Sequence, residues 1–412
     1  GCAPIASGAV KTVLFVGAGR HQRRAIAQAR ARGLRVVAID RNEAAPGLQE
    51  ADVAEVVDFA DVAAAIEAGR RHAVDGVLTV SADRAVPVVA AVAEALGLPG
   101  IGTRTAHLMT HKVAMRRTLA DAGVPQPRFA AVRDLREGRA ALETTGLPAV
   151  LKPADSGGQR GVFRLESGGA RARSLHAALA ESPTHEAIVE SFQDGLELNG
   201  IMVVRGGEPS VLTLSDRLRP PGIGFGVGWI HVYPASIYGD TLAGAERVAA
   251  AAVRALGLRD GIAFPQLIVS DDGEIGVVEV AARIPGGQMA DLVRHAVGVD
   301  LVEIALRQAL GEDVPDDVAL PKFVQPLVIR FLTAQPGPLP TGRVVRVDGL
   351  ERVSAAPGVA QAELYLQVGE TIRPVRLDGD RRGYVIAYGQ TTPEALERAE
   401  GAAKLLDVEV EA

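Results

Sequence analysis

Two kinds of apolar pattern alternate along the chain. Short apolar runs bounded by glycine and polar clusters predict strands, because successive strand side chains point to opposite faces. Stretches whose apolar residues recur every three to four positions predict helices. KTVLFVG, a glycine turn, AIAQARARG and LRVVAIDRN read as strand, helix and strand over Lys11 to Asn42. VDGVLTV predicts a strand with a polar Ser81-Ala82-Asp83 end, followed by a helix and a boundary at Leu98 to Gly102. Polar residues at such strand ends are where open α/β sheets hold ligands. Thr110 is expected to cap a helix from His111 to Gly123, and the two prolines of VPQPRF force an extended connector. LPAVLKP, EAIVESF and the run from Gly195 to Val204 predict strands. Gly239 to Leu256, Met289 to Gly298 and Leu301 to Leu310 predict helices. From Lys322 onward FVQPLVIRFLTA, GRVVRVDG, AELYLQV and RGYVIAYG are strand-like, and PEALERAEGAAKLL closes the chain as a helix. This last part reads as a small α+β unit with no chemical constellation of its own, suited to packing or dimer contacts.

One stretch combines pattern and chemistry: GIAFPQLIVSDDGEIGVVEVAARIPGG, from Gly261 to Gly287. Two apolar runs flank Asp272-Gly273, which predicts a hairpin with a two-residue type I′ turn. That register sets Gln266 opposite Glu279. Directly opposed side chains lie roughly 5 Å apart at Cβ, so two oxygen ligands can share a cation. Alternation places Ala281 and Arg283 on the face of Glu279. A carboxylate inside VVEVAA is costly unless partnered. The same alternation also suits the solvated face of an edge hairpin. The exit Pro285-Gly286-Gly287 lets backbone approach a ligand closely.

Three other stretches carry candidate chemistry. Lys152 precedes the glycine-rich ADSGGQRG of residues 154–161, between two strands. Backbone N–H groups there can cradle phosphate oxygens, and a plain mobile hairpin tip is the alternative. GIGFGVGWIH, residues 222–231, holds Trp229 and His231 and reads as a lid; His231 alone is more simply a strand histidine with satisfied hydrogen bonds. Gly17, Gly19 and Asp40 partly match a dinucleotide fingerprint, but Gln22 stands where the third glycine belongs and Arg20, His21, Arg23 and Arg24 crowd the turn. A plain βαβ turn is the preferred reading.

Composition narrows the classes. The 412 residues suit two to three domains, and 48% hydrophobic with 23% charged residues is ordinary for a globular protein. A net charge of −6 argues against a nucleic-acid partner held by bulk electrostatics. The single cysteine, Cys2, excludes an internal disulfide and a cysteine metal cluster, which fits a cytoplasmic setting. No apolar run reaches the roughly 18 residues of a membrane helix. Residues 1–10 read as a tail outside the fold, without the features of a signal peptide.

Taken in order, HKVAMRRTLADAGVPQPRF, LPAVLKPADSGGQRGVFRL, EAIVESFQDGLELNG and GIAFPQLIV with IGVVEVAARIPGG resemble the ATP-grasp carboxylate–amine ligases. RRGYVIAYGQTTPEALERAEGAA is most similar to the bacterial L-amino-acid ligases that make dipeptides. The resemblance implies a mixed α/β and α+β architecture, the ATP-grasp fold. It comprises an N-terminal Rossmann-like α/β domain (11–102), a two-lobed ATP-grasp domain (103–322, mobile lobe about 124–190) and an α+β C-terminal domain (323–412). It implies ATP between two antiparallel sheets and Mg²⁺, or Mn²⁺ in its place. By that match Lys112 and Lys152 meet the nucleotide, and Ser156, Gly157, Gly158 and Gly161 cover its phosphates. Glu190 and Phe192 meet the adenine, and Glu197 the ribose. Gln266 and Glu279 bind the metal, and Arg283 holds the γ-phosphate and carboxylate. His231, Trp229, Gly286 and Gly287 face the substrate, with Arg217, Arg219 and Arg294 as candidates for a second carboxylate. Gln266 and Ala281 depart from the usual Glu and Asn, so one ion is expected to be held weakly. The implied reaction joins a small-molecule carboxylate to an amine through an acylphosphate, in a homodimeric enzyme with no nucleic-acid or membrane partner. Other ATP-grasp ligases, such as a carboxylase or a purine-pathway ligase, and a non-catalytic nucleotide- or NAD-binding protein stay open.

Overall fold

A computed structural model describes residues 10–157, 159–166, 171–223 and 226–411. Gly158 of the expected phosphate loop, two positions of the 222–231 lid and nearly all of the tail lie outside the described residues.

Four sheets organise the chain. Val53–Val56, Arg35–Asp40, Thr12–Val16 and Gly76–Leu78 form a parallel sheet in that order. Phe129–Val132, Ala187–Ser191, Ala149–Pro153 and Phe163–Leu165 form an antiparallel sheet. The largest is an eight-stranded antiparallel sheet. It starts at Ile275–Ala281, passes through Gly261–Val269, Leu196–Arg205, Glu208–Leu218 and Ile230–Tyr233, and ends with Leu327–Phe331, Gly383–Tyr388 and Val359–Leu364. Thr371–Ile372, Gly342–Asp348 and Asp407–Glu411 make a small third antiparallel sheet. Three strands of the C-terminal part therefore extend the central sheet. One apolar cluster runs from Val13 and Phe15 of the parallel sheet through Ile201 and Ile262 to Leu327 and Ile386. Burying such side chains contributes roughly 1.5–3 kcal/mol each, so these segments are held by shared core. Among the described residues no helix is long and apolar enough to cross a membrane.

The hairpin reaches its register by a route the pattern did not predict. Ser270 N donates to Glu274 O at 2.9 Å and Val269 pairs with Ile275, so the connection is longer than two residues. A bulge between Gln266 and Leu267 then shifts the ladder, and Gln266 pairs with Glu279 after all. The one-residue shift at the loop and the bulge cancel. Leu267, Val277 and Val280 pack with Ala245, Ala249 and Ala252 of the helix Gly239–Ala255, which backs the hairpin. Gln266 and Glu279 line the cavity on its other side.

Other expectations also change. His111, not Thr110, caps the helix Lys112–Asp121, accepting at Nδ1 from Ala114 N at 3.4 Å. The eleven-residue strand Glu208–Leu218 was not legible, because its polar positions hide the alternation. Ile230 and His231 belong to a strand, not to a lid, since Leu327–Phe331 pairs with them.

Candidate active site

A cavity of about 280 Å³ collects most of the expected side chains. Its floor is the hairpin, where Gln266 and Glu279 stand opposed. Lys112 Nζ lies 3.7 Å from Glu279 Oε1 and donates to the Ser156 carbonyl at 2.8 Å. Burial pushes the Glu279 carboxyl up, but Lys112, Lys152, Arg283 and Arg116 outweigh it and hold the group below its ordinary value. Among the described residues no cluster of three His, Cys, Asp or Glu side chains is placed to hold a metal. One amide oxygen and one carboxylate are hard oxygen donors, too few for an all-protein cage. That set fits Mg²⁺ arriving with phosphate oxygens and water.

The facing wall comes from the four-stranded antiparallel sheet. Lys152 Nζ pairs with Glu190 Oε2 at 2.8 Å, and Arg116 Nε pairs with Glu190 Oε1 at 2.8 Å. Burial opposes ionisation of Glu190, yet Arg116 and Lys152 hold its carboxyl down at about 2. Burial lowers the Lys152 ammonium, with Glu190 opposing the fall. Arg116 also donates to the carbonyls of Val277, at 2.8 Å, and Val278, at 2.6 Å, tying this wall to the hairpin. Val150 on one sheet and Ile268 and Val278 on the other line a slot of about 100 Å³, with Phe192 and Glu197 at its edge. A flat apolar gap between two sheets suits a purine ring. The Phe192 ring lies under the Arg164 guanidinium at 4.1 Å. Glu197 is engaged by Arg217 and Arg219, so it meets a ribose only with two arginines already bound.

The glycine-rich loop lies against the end of the parallel sheet. Arg84 donates to Ser156 Oγ at 3.2 Å. A Cβ on Gly157 would sit 2.8 Å from Asp83 Oδ2, so a larger residue there would displace the Asp83 carboxylate. Gly161 has φ of +67°. Asp83 in turn accepts from Arg283 Nε at 2.6 Å, and Ser81 N donates to the Ile284 carbonyl at 2.9 Å. The polar strand end at 81–83 thus meets both the loop and the hairpin exit.

The remaining wall is formed by His231, Arg217, Gly286, Gly287, Asp378 and Arg381. Gly287 has φ of +66°, and a Cβ there would lie 3.4 Å from His231 Nε2. Burial, with Arg381 and Arg217 nearby, holds His231 well below its ordinary value, so its imidazole is neutral. Arg381 was not expected. It donates to the Gly228 carbonyl from Nε at 2.9 Å, pairs with Asp378 at 2.6 Å and lies 3.9 Å over the Phe331 ring. Burial lowers its guanidinium to about 10. Nothing local marks it in RRGYVIAYG; only the pairing of that strand into the central sheet brings it here. The expectation of no chemical constellation after Lys322 is corrected accordingly.

Two groups of expected residues lie elsewhere. Trp229 turns from the cavity: Nε1 donates to Thr333 Oγ1 at 3.1 Å, and Arg330 lies over the ring at 4.1 Å. Arg294 is exposed, 3.9 Å from Asp300. The Gly17–Gly19 turn is closed by its own side chains. Asp40 accepts from Ala18 N at 2.8 Å and Asn42 N at 2.9 Å, and Gln22 is buried on the Val80 carbonyl. The acid a ribose would need is already committed.

Residues 111–316, half of the chain, match the family described as carbamoyl-phosphate synthase L chain, ATP binding domain. Residues 26–100 match the ATP-grasp N-terminal domain, and 330–411 match L-amino acid ligase C-terminal domain 2. The chain is 29% identical over 336 residues to an uncharacterized protein of Sinorhizobium fredii, covering 79% of this chain and 66% of that relative. It is 26% identical over 415 residues to a formate-dependent phosphoribosylglycinamide formyltransferase of Ignicoccus hospitalis, covering 96% and 95%. The crystal structure of an L-amino acid ligase from Bacillus licheniformis superposes with a TM-score of 0.82 at 23% identity, covering 98% and 99%.

Proposed function

The chain belongs to the ATP-grasp ligases, and from that premise we propose that it joins a carboxylate to an amine, at least one of them an amino acid, with ATP cleaved to ADP and phosphate. The observation that carries this reading is the convergence of Gln266, Glu279, Lys112, Lys152 and Arg283 on one cavity between two sheets. A carboxylate is a poor electrophile and approaches a polyanion unwillingly. Lys112, Lys152 and Arg283 offset that repulsion, and they also favour charge spreading onto the transferring phosphoryl group. Gln266 and Glu279 would hold Mg²⁺, which supplies further neutralisation of the triphosphate when bound. The carboxylate oxygen attacks the γ-phosphorus and ADP leaves; the amine nitrogen then attacks the acyl carbon and phosphate leaves. The acylphosphate must be kept from water, and the loop at 154–161, lying on Asp83 and Arg84, is suited to that.

The amino-acid class draws support from the C-terminal part. The segment that matches the L-amino acid ligase domain contributes Asp378 and Arg381 to the cavity wall, with Phe331 under Arg381. The cavity holds two ion pairs, Arg283 with Asp83 and Arg381 with Asp378, and a zwitterion could exchange its own charges with one of them. The test is a matrix of amino acids, other carboxylates and amines scored by phosphate release, with mass spectrometry of the product. ATP cleavage dependent on bicarbonate or formate alone, with none dependent on any amino acid, sinks the amino-acid reading.

One observation favours a phosphorylated amine instead. A second cavity of about 660 Å³ adjoins the first through Ser81, Pro285, Gly286 and Met289, and Arg20, Arg24 and Arg294 line it. Against this, Arg24 is already paired with Asp291 and Glu363.

A further inference from the structure

Asn199 lines the cavity, and both ends of its side-chain amide meet other side chains. It is 1% exposed, in the strand Leu196–Arg205 between the hairpin and the rest of the central sheet. Gln266 Nε2 donates to its Oδ1 at 3.1 Å, and its Nδ2 lies 3.2 Å from His231 Nδ1. An amide has a donor end and an acceptor end, so the orientation of one amide dictates that of the next. We propose that Asn199 is a positioning residue that carries the polarity of Gln266 to His231, fixing His231 as the tautomer with its proton on Nε2, aimed at the substrate wall beside Gly287.

Each step follows from hydrogen-bond polarity. The inference rests on the cation reading of Gln266 in one respect only. A cation at Gln266 and Glu279 takes the amide oxygen, because an N–H donor cannot face it. Gln266 then has only Nε2 to give, and Asn199 must present Oδ1. Asn199 Nδ2 is left pointing at His231, whose Nδ1 must accept and therefore carries no hydrogen. A neutral imidazole with a bare Nδ1 has its hydrogen on Nε2. His231 is 3% exposed and flanked by Arg381 and Arg217, so the neutral form is the one present. Among the described residues no group accepts a hydrogen bond from Nε2. It faces Gly287 and the cavity. The site therefore offers a hydrogen-bond donor at that point, and it selects an oxygen acceptor, such as a substrate carboxylate or acyl oxygen, over an ammonium.

A carboxylate at position 266 reverses the chain. It would accept from Asn199 Nδ2, the amide would turn over, and Oδ1 would demand a hydrogen on His231 Nδ1. Position 266 thus sets two properties at once: the charge at the metal and the direction of a hydrogen bond two side chains away.

The test is ¹⁵N-histidine labelling of the full chain with Mg²⁺ and ADP added, with multiple-bond ¹H–¹⁵N spectra that report which ring nitrogen is protonated. His231 is assigned by its disappearance in His231→Gln. The expected wild-type pattern is a bare Nδ1 and a protonated Nε2. Asn199→Asp keeps an acceptor for Gln266 but replaces the Nδ2 donor by oxygen, and Gln266→Glu turns the amide over; both are expected to protonate Nδ1. The other seven of the eight histidines report whether each variant folds. Protonated Nδ1 in the wild type overturns the proposal, and so does an unchanged His231 pattern in a folded variant. Mn²⁺ binding with ADP, followed by loss of the free-ion electron paramagnetic resonance signal, tests the cation site separately. A wild type that binds no Mn²⁺ overturns the cation reading, whereas bound Mn²⁺ with a protonated Nδ1 overturns the tautomer proposal alone.

Discussion

Glu190→Gln keeps the shape of the side chain and removes the charge shared by Arg116 and Lys152. The three side chains are 5%, 1% and 9% exposed, so solvent screens the interaction little. A carboxyl held at about 2 where 4.5 is ordinary corresponds to about 3 kcal/mol of preference for the folded, ionised form, at about 1.4 kcal/mol per pH unit. The variant also leaves two buried cations facing one another, and breaking a buried pair costs about 3–5 kcal/mol, so the two lines of reasoning agree in size. Arg116 is bonded to the hairpin carbonyls, whereas Glu190 and Lys152 sit on the opposing sheet. The loss therefore falls on the attachment of that sheet to the hairpin. Hydrogen exchange in Ala149–Pro153 and Ala187–Ser191 is expected to speed up by about a hundredfold at pH 7. The folded-state value lies below the unfolded one. The contribution is thus complete above about pH 4.5 and disappears as the pH falls towards 2. Melting temperatures of wild type and variant should stay apart from pH 8 to about 5.5 and converge in more acid solution. Unchanged exchange in these strands at pH 7, or a gap that widens in acid, would refute the reasoning.

Glu279→Ala is expected to abolish ADP formation while keeping the circular-dichroism spectrum of the folded chain, and near-normal phosphate release would defeat its assignment to the metal. Gly287→Ala strains a backbone with φ of +66° and places a methyl 3.4 Å from His231 Nε2. Its kcat/KM for the second substrate should fall at least about tenfold, while the thermal shift with Mg²⁺ and ATP stays; equal loss of both contradicts the division of the cavity. Trp229→Phe removes the bond to Thr333, at about 1 kcal/mol of stability, and should leave substrate KM values alone. Arg381→Met should raise the KM of the amino-acid substrate and not that of ATP, and the reverse split in steady-state kinetics would move Arg381 to the nucleotide side.

What the sequence made legible follows sequence distance. Lys152 and its glycine loop, and Gln266 with Glu279, are short-range features: a run of residues, or two strands joined by a tight connection. Even there the turn was misjudged, because the alternation of side chains does not distinguish a longer loop with a bulge from a two-residue turn without one. Arg116 stands beside Arg117 in HKVAMRRTLADAG, and nothing in that string says which arginine is buried. The decision belongs to Glu190, 74 residues away. Asn199 looked like an ordinary strand residue until Gln266 and His231 arrived on either side of it. Trp229 and Arg381 fail for the same reason, since the strands beside them pair with Leu327–Phe331, about a hundred and about fifty residues away. Asn199 and Arg381 lie on one side of the cavity. The wall expected to hold phosphates and metal comes mostly from local motifs, whereas the wall beyond Arg283 comes from pairings between distant strands. A chain can therefore keep a recognisable nucleotide half while the opposite wall changes by long-range contacts alone. On that asymmetry, substitutions at Asn199, His231 and Arg381 are expected to change substrate choice, and substitutions at the lysines to change nucleotide use.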